Sequence, residues 1–526
     1  MKKSIYYIIF LTFLFGWSCK QEMIELQTLD VITIKPCPDG ATKGSADFTK
    51  FIAIGSSYTA GFQAGALFDD GQNNSLPAIL NKQFQCVGAP ATFNQPTIKS
   101  ALGYNIFISP NPDASQHIFG RFLLQYNGKI DPIPTPQLSN VAALPNPAVN
   151  PAFIYGNGST KAALNNFGVQ AIVLGQALIT QTGAWAGAGT DPRFNPFYGR
   201  FAYPGTGTST LIGDAAAAGG TFFMFWLGMD DFMLYAAFGG DAKKAPLTSA
   251  AAFGGQYGAA VGALLGSNAN LKGVVGNYPD IFVMPHFTAV AWNPIPLDAF
   301  TAAYLTSQLA DNYNAFLAGM VGATIISQAE ADTRHITFKA GQNAILIKDE
   351  TLTNLAPYMT GSAAALLPYA RARQTKVTDI LPLAAGAVIG TLVNNDPNSI
   401  YGVTVPLADQ YAITPVERDS INSARAAFNS SIAATVTANS SRLALADVDA
   451  ALTTFVAAKA DVLNGVTVTP NINPPTGIYS EDGLHPNSRG YAYLSTFFIK
   501  AINAKYGASV PLTNISLYSA TALPIP

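Results

Sequence analysis

The feature that most constrains this fold is local. The apolar run Phe51-Ile-Ala-Ile54 leads without a break into Gly55-Ser-Ser-Tyr-Thr-Ala-Gly61, a stretch of mostly small side chains. Such a pair reads as a buried strand and a tight turn at its C-terminal end, the arrangement by which many α/β enzymes present a nucleophile. Further apolar runs at residues 221–227, 273–275, 281–284 and 443–446 are candidate strands. Residues 297–320 are helical in pattern and rich in Ala. Thr414-Pro-Val-Glu417 joins a capping hydroxyl, a proline at the first helical position and a capping-box glutamate, so a helix starts there. Leu494, Phe497, Phe498, Ala501 and Ile502 repeat along one helix face, and Gly507 is placed to end that helix. Strands alternating with helices predict an α/β fold, a three-layer α/β/α sandwich around a mostly parallel sheet. Residues 90–160, rich in Pro, Asn and Gly, read as long loops over the domain.

A serine is a weak nucleophile at neutral pH and needs a base, which in turn needs a partner to fix its tautomer. Of the histidines His117, His286, His335 and His485, the last follows a carboxylate by three residues in Asp482-Gly-Leu-His485. In a turn, that spacing lets the acid hold one ring nitrogen while the other faces outward. Pro486 and Asn487 then lead into the final helix. Ser57, His485 and Asp482 are therefore the candidate nucleophile, base and orienting acid. His286 is read as a packed side chain or as a wall of the substrate cleft. His, Cys and carboxylates do not recur at ligand spacing, so no metal is predicted. The pairs Asp69-Asp70 and Asp230-Asp231 could hold a cation but read better as solvated loops or helix caps, Asp231 capping the helix after it.

Here the chain resembles the SGNH/GDSL hydrolases. Gly55-Ser56-Ser57-Tyr58 resembles block I of that family, Asn166-Phe-Gly168-Val-Gln-Ala171 block II and Gly228-Met-Asp-Asp231 block III. Asp482-Gly-Leu-His485-Pro-Asn, followed by Gly490-Tyr491, resembles block V, and the blocks stand in family order. More narrowly the chain resembles large SGNH-type lipoproteins of Bacteroidetes, through segments such as Ala340-Gly-Gln-Asn-Ala344 and Val405-Pro-Leu-Ala-Asp409. The resemblance implies carboxylic-ester hydrolysis through an acyl-enzyme on Ser57, with no metal or cofactor. The oxyanion would be held by the N–H groups of Ser57 and Gly168 and by the block III position, Asp230. Such donors contribute roughly 3–4 kcal/mol each to the transition state. Substrates would be lipid esters, short-chain esters or acetylated glycans.

Two positions depart from the family pattern. Ser56 replaces an Asp, and Asp230 stands where an Asn would donate an N–H to the oxyanion. An ionised Asp230 would repel that charge. It either donates as a buried carboxylic acid, points away, or leaves the enzyme slow or inactive. The alternative function is accordingly a surface lipoprotein that keeps the fold for ligand binding.

The N-terminus adds a location. Lys2 and Lys3 precede an apolar run at residues 5–15, too short to span a bilayer, and Ser18-Cys19 follows. This resembles a bacterial lipoprotein signal over residues 1–19, with Cys19 acylated to hold the protein on a membrane; ordinary secretion is the alternative. An outer-membrane or otherwise exported cell-envelope protein is implied. Residues 20–47 read as a tether, 48–510 as the hydrolase domain with a helical insertion or cap at 297–440, and 511–526 as a tail. Cys37 and Cys86 form either one disulfide or two free thiols. The residues 221–240 carry Asp230 and Asp231 in their middle, which argues against a membrane span. A net charge of −2, from 29 basic and 31 acidic residues, offers no surface for tracking phosphates, so nucleic acid is excluded as a partner.

Overall fold

Five short strands build the centre: β1 (Phe51–Gly55), β2 (Asn166–Gly168), β3 (Phe222–Trp226), β4 (Lys272–Gly276) and β5 (Leu443–Ala446). The structure, a computed structural model, describes residues 37–103, 119–125, 133–138, 161–188, 190–202 and 207–521. Every residue of β1 and β3 is buried. Strands without a polar face must be covered on both sides, as parallel sheets are. All five pair in parallel, in the order β2-β1-β3-β4-β5. The chain steps outward from β1 to β2 and then returns past β1 to β3. The C-terminal ends of these three strands therefore border the crevice where open α/β sheets bind ligands.

Helices α1 (Ser57–Ala60), α2 (Leu76–Phe84), α3 (Asp230–Ala237), α4 (Ala250–Ser267), α5 (Pro415–Ala438) and α6 (Ser488–Tyr506) frame the sheet and its crevice. Successive side chains of a strand point to opposite faces. Along β3, Phe222 and Trp226 meet Tyr506 and Phe498 of α6, with ring centroids 5.7 and 5.4 Å apart. Phe225, on the other face, meets Tyr257 of α4 at 5.3 Å. Helix α2 packs with α6, and α5 packs with α4, where Phe253 and Phe428 stack at 3.9 Å. This α/β architecture is compatible with a three-layer sandwich.

The helix signals act as their chemistry requires. Glu417 Oε2 accepts the Thr414 N–H at 2.7 Å while Thr414 Oγ1 accepts the Glu417 N–H, closing the capping box of α5. Asn487 caps α6 by accepting the Gly490 N–H, and Gly507 ends it at φ +62°. Helices also cover residues 299–322.

Other expectations need correction. Residues 281–284 are not a strand: Asp280 caps a tight turn at Ile281–Val283, and Pro285 opens the short helix Pro285–Thr288. Within residues 90–160, Phe119–Gln125 pairs antiparallel with Ile133–Leu138, which provides backbone partners to a stretch without periodicity. The tether is shorter than residues 20–47: Thr42 and Ser509 exchange backbone and side-chain hydrogen bonds, and Ala46 is buried. The tail at 511–526 is integral up to residue 521, with Ile515 fully buried and Thr513 bonded to Ser495. Cys37 and Cys86 are disulfide-bonded. The leader with Cys19, and His117, lie outside the described residues. Among the described residues, no helix is long and apolar enough to cross a membrane.

The insertion also differs from a helical cap. Helix α5 belongs to the main core, through Ile421, Phe428 and Ile432. Residues before it build three two-stranded pairs, among them Leu346–Lys348 with Ala372–Gln374. Leu346 faces one small core with Tyr313, Leu317 and Leu355. Ile345 and Ile347 face a second with Leu381 and Leu407. One strand thus separates two cores by alternation alone.

Candidate active site

The turn after β1 places Ser57 at the start of α1, with 3% of its surface exposed. Gly55 is required here, since a Cβ would collide with Thr59 Oγ1. Across the crevice, residues 480–486 fold into a turn around Asp482. Its Oδ1 accepts the N–H groups of Leu484 and His485 at 2.9 and 2.8 Å. Its Oδ2 accepts the Gly65 N–H at 2.8 Å and lies 3.0 Å from His485 Nδ1. Burial pushes the Asp482 carboxyl up, but the His485 charge and the hydrogen bonds from His485 and Gly65 outweigh it and hold the group at about 2. A dedicated carboxylate on Nδ1 leaves Nε2 as the free nitrogen. Nε2 is buried and has no hydrogen-bond partner among the described residues. The rings of Phe62 and Tyr58, at 4.7 and 5.3 Å, pack against the imidazole.

Ser57 Oγ is not bonded to His485. Its hydroxyl donates to Asp230 Oδ2 at 3.3 Å and accepts the Ala171 N–H at 3.0 Å. Ala171 lies in the loop after β2 in the left-handed region, φ +53°. Gly168, the expected oxyanion donor of that loop, instead gives its N–H to Asn166 Oδ1 at 2.8 Å. Its smallness serves packing, because a Cβ there would collide with the Ala60 backbone of α1. The spacing of Asn166-Phe-Gly168-Val-Gln-Ala171 offers two small residues, and only the path of the loop selects the second.

Asp230 opens α3 with its carboxylate fully buried. Burial raises it to about 6, against the opposing pull of His485 and the Ser56 and Ser57 hydroxyls. Its Oδ1 has no hydrogen-bond donor among the described residues. Asp231 does not cap α3. Its Oδ2 accepts the Leu174 N–H at 2.7 Å and its Oδ1 the Thr248 hydroxyl at 2.8 Å, which ties the loop of Ala171 to the start of α3. Burial raises Asp231 to about 7. His286 does both things considered for it. Its Nδ1 lies 3.0 Å from the Asp482 carbonyl, and its ring lines the cavity. Gly483, at φ +71°, is needed for this contact, since its Cβ would lie 2.7 Å from the His286 nitrogen. His335 is exposed.

Ser57 and His485 open into a cavity of about 540 Å³. Its walls are largely apolar, with Phe62 and Met233 from the core, Phe238 from the end of α3, Phe122 from the strand Phe119–Gln125, and Leu383 and Tyr411 from the insertion, and Glu481 is also in the lining. Comparison with known proteins finds no matching family model, no similar curated protein and no similar solved structure.

Proposed function

We propose that this chain is a serine esterase of the SGNH type that hydrolyses esters with an apolar acyl chain. The carrying observation is the shared cavity: Ser57 and the acid-oriented His485 reach it together at the crevice end of the sheet. In the reaction the Ser57 hydroxyl turns from Asp230 to His485 Nε2, which takes its proton as Oγ attacks the ester carbonyl. Catalytic hydrogen bonds are often incomplete without substrate. The Ala171 N–H is the best supported oxyanion donor, and a protonated Asp230 adds a second. His485 then protonates the leaving alcohol, and water releases the acid. The apolar walls favour lipid-like esters over acetylated glycans. Lys2 to Cys19 support a lipid-anchored enzyme of the cell envelope.

The bond from Ser57 to Asp230 favours a second reading, a ligand-binding protein without efficient catalysis. Hydrolysis of p-nitrophenyl esters from acetyl to palmitoyl, by wild type and Ser57→Ala, separates the two. The esterase reading expects activity on longer chains that is lost in the variant, with stoichiometric labelling of Ser57 by a fluorophosphonate. No hydrolysis and no labelling of folded wild type would move the assignment to binding.

A further inference from the structure

Away from Ser57, three carboxylates from distant parts of the chain converge. Glu350, Asp409 and Glu417 each offer an oxygen within 4.8 Å of the others. Glu350 follows the strand Leu346–Lys348 of the insertion, Asp409 opens the turn Asp409–Tyr411, and Glu417 lies in the first turn of α5.

The cluster has no cation of its own among the described residues. Among the described residues none of its members forms an ion pair with Lys or Arg. The Arg371 guanidinium goes to the Glu350 backbone oxygen at 2.7 Å, and Arg373 is held by Asp349 and Asp379. Glu417 supplies an independent observation. It is 4% exposed, its Oε2 is engaged by Thr414, and its Oε1 is buried with no hydrogen-bond donor. That oxygen lies against the Gly239-Gly240 turn at the end of α3, where a Cβ on Gly240 would collide with it. Asp241 and Asp349 add further negative charge around Asp409. Burying an uncompensated carboxylate is expensive, and a bound cation removes that cost.

We infer that Glu350, Asp409 and Glu417 bind one calcium ion that joins the insertion to α3 and α5. Donors that are all oxygen select a hard cation rather than zinc or copper. Oxygens sharing a calcium at about 2.3–2.6 Å lie at most about 5 Å apart, as these do. Glu417 is buried and Glu350 is exposed, so the ion has both a fixed anchor and an open side for entry and for water ligands. Asp409 directly precedes Gln410 and Tyr411, which line the cavity, and α3 supplies the facing Met233 and Ala237. The ion therefore has a structural role, holding one cavity wall against another, whatever the chemistry at Ser57.

Calorimetric titration of the chelator-treated full chain with calcium chloride tests this without an activity readout. One calcium per chain is expected, with a higher thermal midpoint. Glu350→Gln, at an exposed position, weakens binding about tenfold or more, because affinity follows ligand charge. Glu417→Gln does the same while keeping a side chain able to complete the capping box. Absence of binding to the folded wild type, or binding unchanged in both variants, overturns the site. A midpoint that rises equally on acidification from pH 8 to pH 6, with and without calcium, and no heat of binding would mean that shared protons neutralise the cluster instead.

Discussion

Asp230 is the residue on which both stability and the proposed chemistry turn. It is fully buried, accepts the Ser57 hydroxyl at 3.3 Å, and is raised by burial to about 6. The sign follows from linkage. A carboxyl raised on folding binds its proton more tightly in the native state, so stability falls as pH climbs from the unfolded value, near 4, through about 6. The loss is on the order of 3 kcal/mol and is complete above that window. Asp230→Asn is therefore expected to raise the thermal midpoint at pH 8 and to lose that advantage at pH 4. If the protonated acid serves the oxyanion, wild-type turnover declines above about pH 6, whereas Asp230→Asn does not show that decline. Asp482 has the opposite sign. Held at about 2, it contributes stability that is present above pH 4 and lost as pH falls toward 2. A pH series of thermal unfolding on wild type, Asp230→Asn and Asp482→Asn reads both signs. The turn that carries Ser57 and the contact of Asp482 with His485 were legible in sequence because each rests on immediate neighbours. That Ala171 rather than Gly168 reaches Ser57 was not legible, since both are small residues on one loop.

At the scale of elements, the crevice depends on how closely β2 and its loop approach α1. Asn166 closes this contact through its Nδ2, which donates to the Thr59 carbonyl at 3.0 Å, while its Oδ1 takes the Gly168 N–H within β2. A side chain at Gly168 would meet the Ala60 backbone, which has no rotamer with which to yield. Gly168→Ala is expected to destabilise by about 1–3 kcal/mol, the usual cost of forced overpacking. Urea unfolding measures it, and an unchanged midpoint would show that α1 can move away. Secondary structure was readable where signals were local, as in the capping box of α5 and the apolar face of α6. It was misread at residues 281–284, where four apolar residues form a turn governed by Asp280 and Pro285. A short apolar run fits a buried turn as well as a strand.

The whole molecule sets the cavity beside Ser57, because neither core nor insertion encloses it alone. Phe62, Met233 and Phe238 come from the parallel-sheet domain, while Leu383 and Tyr411 come from the insertion with its own two small cores. Leu383→Trp is expected to fill acyl space and shift the optimum to shorter chains, lowering kcat/KM for the palmitoyl ester about tenfold or more and sparing the acetyl ester. Equal losses on all esters would argue that the wall moves as a unit rather than measuring chain length. The Ala-rich pattern at 297–320 was legible as helix, but the short strand pairs that follow it were not. The pairing of strands of only two to five residues becomes favourable when they close cores with one another, and single-segment periodicity does not report that.

By itself, the sequence determined what is settled within a few residues: the buried strand into the Ser57 turn, the Asp482-to-His485 spacing, the start of α5 and the face of α6. These rest on backbone geometry, capping chemistry and periodicity, which act over short spans. Tertiary structure decided which N–H meets Ser57, that Asp231 ties a loop instead of capping a helix, that residues 40–46 and 511–521 belong to the domain, and that Glu350, Asp409 and Glu417 face one another. Each of these depends on burial and on contacts closed across long stretches of chain, and their energies exist only once the intervening residues have packed.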